Sequence, residues 1–278
     1  MTKIKDKTVL ITGGASGIGR LMGERMLERG AAKLVIWDIN DAMMQEVAEA
    51  FRARQWEVYT YNVDVSDVEA IQQAAAAVEK EVGTVDLLIN NAGVVVGKEF
   101  VEHSHHDIDF TMSINTAALM HISLAFLPTM IAQGSGHIIN IASAAGLVSN
   151  PKMAVYCASK WAVIGWSDSL WLELKQKHPG ITVSTVTPYY INTGMFDGVR
   201  SPIIPIISPE LAVAKILRGI ERNKRFVRMP GIIYLLPLVK GLLSAGLFDL
   251  IVGKGMGVYK TMTNFKGRKA TQKTEVKA

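Results

Sequence analysis

Short apolar runs alternate along the chain with stretches in which apolar side chains return every three or four positions. The runs fall near residues 8–12, 33–37, 57–61, 85–89, 137–142 and 181–187. Consecutive apolar positions over so short a length read as strands buried on both faces. Strand and helix in repeated alternation predict an α/β fold, a doubly wound parallel sheet with helices on both faces, Rossmann-like. Right-handed crossovers then gather the loops at the C-terminal strand ends, where the strand order reverses. No internal repeat beyond this alternation and no low-complexity linker is visible.

The first run, Thr8–Thr12, leads into Gly13-Gly14-Ala15-Ser16-Gly17-Ile18-Gly19 and then into helical periodicity over 20–29. Glycines at 13, 17 and 19 let the backbone turn tightly and approach a pyrophosphate at the positive end of the helix. Nineteen residues beyond Gly19 the second strand ends in Asp38, where a carboxylate accepts hydrogen bonds from an adenosine ribose. Strand, glycines, helix, strand and acid in that order favour a dinucleotide site over an empty Gly-rich turn. Asp38 would repel a 2′-phosphate, and Ile39 and Asn40 offer no cation to hold one, so NAD is expected over NADP; Arg20 is the nearby cation that argues otherwise.

Tyr156 and Lys160 stand four residues apart in a helical stretch, thirteen residues after Ser143. That spacing puts a phenol and an ammonium on one helix face. A phenol titrates near about pH 10, and a neighbouring cation favours its ionised form. Tyr156 is then fitted to exchange a proton with an alcohol or carbonyl whose oxygen Ser143 fixes. By itself the pair is a common coincidence; the nucleotide motif gives it weight.

Taken together, these motifs resemble the short-chain dehydrogenase/reductase family over about residues 5–228. Thr12-Gly13 with Gly17 and Gly19 is similar to its cofactor loop, and Asp64-Val65 to the pair that contacts adenine. Asn90-Asn91-Ala92-Gly93 is similar to the segment after the fourth strand, and Asn115, Ser143, Tyr156 and Lys160 to the catalytic tetrad. The resemblance implies that Tyr156 is the general acid/base and Ser143 orients the substrate oxygen. It further implies that Lys160 binds the nicotinamide ribose and lowers the Tyr156 pKa, while Asn115 holds a water in a proton relay. After the sixth strand Pro188 and Thr193 match the family pattern, with Ile191 beside them at the cofactor, but Tyr189 stands where a glycine is usual. A differently shaped loop beside the nicotinamide is expected there. The domain reading is a dinucleotide-binding catalytic domain over 1–228, including a substrate lid at about 189–208, and a C-terminal extension over 229–278.

Charge changes the picture at the C-terminus. The 278 residues carry a formal net charge of +5, yet fourteen Lys/Arg stand against three acids from Lys215 onward, leaving sixteen against twenty-two before it. An acidic body with a basic end suggests an anionic surface as partner. Within that end, residues 229–252 are strongly apolar but broken by Pro237, Lys240 and Asp249. No window offers the roughly 20 uncharged apolar residues of a spanning helix. Peripheral contact with a membrane surface fits the composition; the same residues could equally cap the substrate pocket or lie in a dimer interface. Residues 266–277 read as a solvated tail. Within the family, this apolar-basic region is similar to that of membrane-associated retinol and hydroxysteroid dehydrogenases. No hydrophobic segment precedes the first strand, so membrane contact is expected from the C-terminus. With one cysteine, Cys157, and no signal peptide before the first strand, the expected location is cytoplasmic, peripherally on a membrane.

The lid contains Ile191, Met195, Phe196, Val199, Ile203, Ile204, Ile206 and Ile207 with few charges. Val94, Ala144, Val148 and Met153 are expected to face the same cleft. Such a lid disfavours sugar phosphates and CoA thioesters and favours a hydrophobic alcohol or ketone. His103, His105 and His106 lack further ligands at metal spacing, so no metal is expected. Trp161, Trp166 and Trp171 fit a helix packed on the sheet and on a partner subunit; the resemblance implies a homodimer or homotetramer. Nucleic acid is not an expected partner, since the tail has no stacking aromatic besides Phe265. The function expected is an NAD(H)-dependent oxidoreductase moving hydride between nicotinamide and a retinoid, steroid or long-chain alcohol. An NADPH-dependent carbonyl reductase and a dinucleotide-sensing scaffold on a lipid surface are the alternatives.

Overall fold

The computed structural model describes residues 1–267; most of the tail expected over 266–277 lies outside the described residues. Strands β1 (Thr8–Thr12), β2 (Lys33–Asp38), β3 (Glu57–Asn62), β4 (Leu87–Asn90), β5 (Gly136–Ile141), β6 (Ile181–Pro188) and β7 (Phe226–Met229) form one sheet in the order β3-β2-β1-β4-β5-β6-β7. Every neighbouring pair is parallel. The doubly wound parallel sheet expected from the pattern is therefore the fold. β7 goes beyond that expectation: it has only four residues with Arg228 among them, and no apolar run announces it. It is tolerated as an edge strand because Arg228 lays its guanidinium over the Phe226 ring, 4.7 Å from the centroid.

The helices are α1 (Gly17–Glu28), α2 (Asp41–Arg52), α3 (Val68–Glu81), α4 (His105–Met112), α5 (Ala118–Gln133), α6 (Ala154–Lys177) and α7 (Pro209–Glu221). Strand alternation sorts residues to two cores. Val9, Ile11, Leu34 and Ile36 face Met22 and Met26 of α1, Val47 of α2 and Ile216 of α7. Leu10, Val35 and Trp37 face Ile71 of α3, Phe126 of α5 and Leu174 of α6. Each such side chain, fully buried, contributes about 1.5–3 kcal/mol, which is why both strand faces had to be apolar. Trp171 joins this second core from α6, whereas Trp161 stands 41% exposed.

Asn40, Asp67, Ser104 and Ser208 start α2, α3, α4 and α7 by accepting hydrogen bonds from first-turn N–H groups. Asp107, beside the histidines, closes a capping box with Ser104. α1 differs. Its N-cap Ser16 makes no side-chain cap bond, and its first turn contains no acid. The N–H groups there stay available at the point where the sheet order reverses, between β1 and β4.

A π-helical turn (Ser113–Ala117) joins α4 to α5, giving one helix over 105–133 that by length and composition could cross a membrane. Half of its most apolar window is buried in the protein, where Ile122, Phe126 and Met130 pack on the sheet. Beyond β7 the chain makes a 3₁₀ turn (Gly231–Tyr234), a short helix α8 (Leu236–Leu242), a single turn (Ala245–Phe248) and a π-helical segment (Asp249–Gly255). Leu236 and Val239 of α8 pack with Phe248, Val252 and Val258 against Leu147 and Val148 of the loop after β5. The inner side chains of this segment are thus packed on the loop after β5. Backbone bonds from Arg200 N to Thr261 O (3.2 Å) and Lys266 N to Asp197 O (2.9 Å) tie it to the lid.

Candidate active site

Two cavities meet at the C-terminal ends of β1, β4, β5 and β6. The first, about 290 Å³, is lined by Gly13, Ser16, Gly17, Ile18, Gly19, Asp38, Asp64, Val65, Asn91, Ala92, Gly93, Ser143, Tyr156, Lys160, Pro188, Ile191 and Thr193. Every residue expected at the cofactor thus lines one cleft, with three of the four tetrad residues. Trp37, Ile39, Val63, Ile114 and Ala142 also line it and carry no motif signal.

The nucleotide end is fixed by short bonds. Gly13 and Gly17 take φ values of +64° and +55°, where a side chain would be strained. A Cβ on Gly19 would collide with Gly13 O. Thr12 Oγ1 accepts from the N–H groups of Asn91 and Ala92, both at 3.0 Å. The Asn91 amide donates to Thr12 O (2.9 Å) and Gly13 O (3.1 Å), so Asn91 holds the glycine loop in place. Asp38 Oδ2 accepts from Ala15 N and Oδ1 from Asn40 N, each at 3.0 Å. Each oxygen keeps a lone pair for a ribose hydroxyl. Among the described residues, Lys160 is the only Lys or Arg lining this cleft, and Arg20 does not reach it. Glycine cradle, free helix terminus and terminal carboxylate together fit a dinucleotide.

At the other end lies the tetrad. Tyr156 and Lys160, both in α6, are 5% and 4% exposed. Burial raises the Tyr156 pKa above that of an ordinary tyrosine, and polar contact with the Ser143 side chain pulls the other way. The phenol therefore holds its proton in this geometry. Burial lowers the Lys160 pKa to about 8. Its ammonium donates to Ile141 O at 3.1 Å and lies 5.8 Å from the Tyr156 ring centroid. Ser143 Oγ accepts from Ala145 N at 3.1 Å, which fixes the hydroxyl at the cleft wall. Asn115 is set apart. It sits fully buried in the π-helical turn, accepting from Val94 N (2.8 Å) and donating to Val94 O (2.9 Å) and Ser159 Oγ (3.2 Å). Its amide clamps the segment after β4 and does not line the cleft. A Cβ on Gly93 would stand 3.1 Å from Asn115 Oδ1, so glycine permits that clamp.

The second cavity, about 220 Å³, adjoins the first at Ser143, Tyr189 and Phe196. Its walls are Ala144, Val148 and Met153 from the loop after β5, Ile204 from the lid, and Ile232, Leu235, Val239 and Val252 among others from the extension. Of the lid residues, Phe196 faces both cavities while Ile203 and Ile206 turn to solvent. Tyr189, in place of the usual glycine, partitions the two and binds Ser201 Oγ in the lid at 3.0 Å. Asn150 Nδ2 reaches the Thr261 (2.6 Å) and Tyr190 (3.1 Å) hydroxyls, fastening the extension to the pocket wall. Asn150 and Thr261 had no motif to announce them.

Residues 7–203 match the sequence pattern of the family described as short chain dehydrogenase. The chain belongs to the short-chain dehydrogenase/reductase family. Epidermal retinol dehydrogenase 2 of Mus musculus is 36% identical over 274 residues, covering 96% of this chain and 87% of that protein. Retinol dehydrogenase 10 of Xenopus tropicalis is 35% identical, covering 100% and 92%. A short-chain dehydrogenase from Burkholderia phymatum in complex with NAD superposes with a TM-score of 0.79 at 26% identity, over 91% of this chain and 97% of that one. One from Sphingobium yanoikuyae in complex with NADPH gives 0.74 at 26%, over 96% and 99%. This short-chain dehydrogenase is thus an oxidoreductase of the alcohol–carbonyl type.

Proposed function

We propose that the chain is an NAD(H)-dependent dehydrogenase of a lipophilic secondary or primary alcohol, of retinoid, steroid or long-chain type. The observation that carries this reading is the junction at Ser143, Tyr189 and Phe196, where a predominantly apolar cavity opens onto the cleft holding Tyr156. The retinol dehydrogenases among its relatives support the substrate class. Asp38, with no cation beside it among the described residues of the cleft, supports NAD over NADP. When bound, the nicotinamide would take up the carbinol hydride or return it.

The chain's own residues manage the proton and the oxygen. Ser143 Oγ holds the substrate oxygen next to the Tyr156 hydroxyl. In the reductive direction the protonated phenol gives its proton to the developing alkoxide; in the oxidative direction Tyr156 accepts the hydroxyl proton. Lys160, its pKa lowered to about 8 by burial, would balance negative charge on the phenolate and hydrogen-bond a ribose. Because burial raises the phenol, oxidation, which needs the phenolate, should climb as pH rises above neutrality, while reduction, which needs the protonated phenol, should hold. Asn115 keeps the Val94 segment in register with Tyr156. The subunit is read as part of a homodimer or homotetramer, and its extension as a peripheral membrane contact.

The test is the initial rate of NADH formation with alcohols of graded length, a retinoid and a steroid, repeated with NADP. The expected result is an NAD-dependent rate that rises with apolar size. Tyr156→Phe should retain NADH binding and lose about 10²- to 10⁴-fold in turnover. Full activity in that variant would remove the acid/base role.

A further inference from the structure

The helix α8 has two apolar faces, and only one is covered. Leu236, Val239 and Leu243 pack inward. Leu235, Leu238 and Leu242, spaced i, i+3 and i+7, share the other side and are 55%, 59% and 74% exposed. Leu247 and Leu250 widen the exposed patch. A helix with a second, uncovered apolar stripe belongs in surroundings that cover that stripe too, and clustered exposed apolar side chains mark an interaction surface.

Three side chains belong to the patch and to the substrate cavity at once. Ile232, Leu235 and Ile251 line the cavity and are 42%, 55% and 45% exposed. These three side chains therefore both wall the cavity and remain accessible to solvent.

Charge identifies what covers the patch. Between residues 229 and 267 the cations Lys240, Lys254, Lys260 and Lys266 stand against one acid, Asp249, which the Tyr259 hydroxyl engages. At the rim, the Lys240 ammonium lies 4.2 Å from the exposed Trp161 ring, and Arg228 lies 5.6 Å from the Tyr234 ring. An apolar centre rimmed by aromatic rings and cations matches an anionic lipid interface. A second copy pairing through the same patch would instead bring like charges together.

We propose that the substrate cavity opens directly into the lipid phase. The outer leucines seat the chain on an anionic bilayer. Substrate passes between Ile232, Leu235 and Ile251 to Ser143 and Tyr156 without crossing water, and the dinucleotide reaches its own cleft from solvent. This rests on the reading of the site as a lipophilic-alcohol dehydrogenase.

The experiment uses the full chain with phosphatidylcholine–phosphatidylserine vesicles that carry retinol or a long-chain alcohol. The rate is expected to follow the substrate's mole fraction in the bilayer at saturating vesicle. Diluting substrate with empty vesicles at constant total concentration should lower it in proportion to mole fraction, while diluting loaded vesicles in buffer should not. The double variant Leu238→Asp/Leu242→Asp alters neither cavity wall. It should lose at least ten-fold in vesicle co-sedimentation and in rate on bilayer-held substrate, yet keep its rate on a water-soluble alcohol. An equal rate on substrate supplied in buffer at the same free concentration without vesicles would overturn the proposal, as would a double variant with undiminished bilayer activity. So would a variant whose sole change is loss of a dimer in sedimentation. Absence of turnover on every alcohol, with vesicle binding intact, would strike the dehydrogenase reading and leave the lipid-facing surface standing.

Discussion

The two cavities are built by opposite means. The nucleotide cleft is a backbone construction: glycine torsions, bare N–H groups at the start of α1, and the Thr12–Asn91 bonds that lock one loop to the next strand. Most of its parts lie within a few residues of a strand end. The second cavity is a side-chain construction, with walls from the loop after β5, the segment after β6 and the segment after β7, spread between Ser143 and Val258. Backbone sites tolerate few residue types, because an added Cβ meets main chain that cannot yield. Side-chain sites tolerate many, because apolar volume can be supplied by any of several residues.

Gly19→Ala should test the first half of this contrast with the largest effect. Its Cβ would meet Gly13 O, a main-chain atom, and overpacking of this kind costs about 1–3 kcal/mol. NADH binding, read by fluorescence titration, should weaken by about ten-fold or more, while vesicle co-sedimentation stays as in the parent chain. Unchanged NADH affinity would mean that the loop is not the cradle. Asp38→Asn should act more narrowly. It removes the charge but keeps an oxygen for Ala15 N or Asn40 N. The ratio of kcat/KM for NAD over NADP should fall about ten-fold, the scale of one lost charge contact; a ratio that does not move would place cofactor choice elsewhere.

The same contrast explains what could be read before the structure. Gly13, Gly17, Asp38, Ser143, Tyr156 and Lys160 were legible because local backbone chemistry restricts each position and the spacing ties them together. The sheet was legible because strands covered on both faces must be apolar throughout, as Val9 to Ile11 are. β7 was not, since its one buried face holds only Val227 and Met229 and Arg228 lies along the other. Asn150 and Thr261 are 111 residues apart in sequence, and no periodicity links them. For the extension, composition could not separate covering the pocket from facing outward, because α8 does both: Val239 points in and Leu242 points out.

Thr261→Val should give the smallest effect and the sharpest test of whether the two cavities are independent. Thr261 is 1% exposed, and its Oγ1 meets Asn150 Nδ2 at 2.6 Å, the Tyr190 hydroxyl at 3.0 Å and Val258 O at 3.0 Å. Valine keeps the volume and removes the hydroxyl. Asn150 and Tyr190 retain their own 3.1 Å bond, so the loss is a shared partner and not a stranded group, worth about 1 kcal/mol. That loosens the extension where it closes the substrate cavity and touches nothing in the nucleotide cleft. KM for a lipophilic alcohol should rise about five-fold, the equivalent of that energy, while the NADH dissociation constant and the kcat for a small alcohol hold. If NADH affinity falls in step with KM, the lid has carried the disturbance through Arg200 and Tyr189 into the cofactor cleft. The two cavities would then be one cooperative unit, and the division between a backbone-built site and a side-chain-built site would describe their construction but not their energetics.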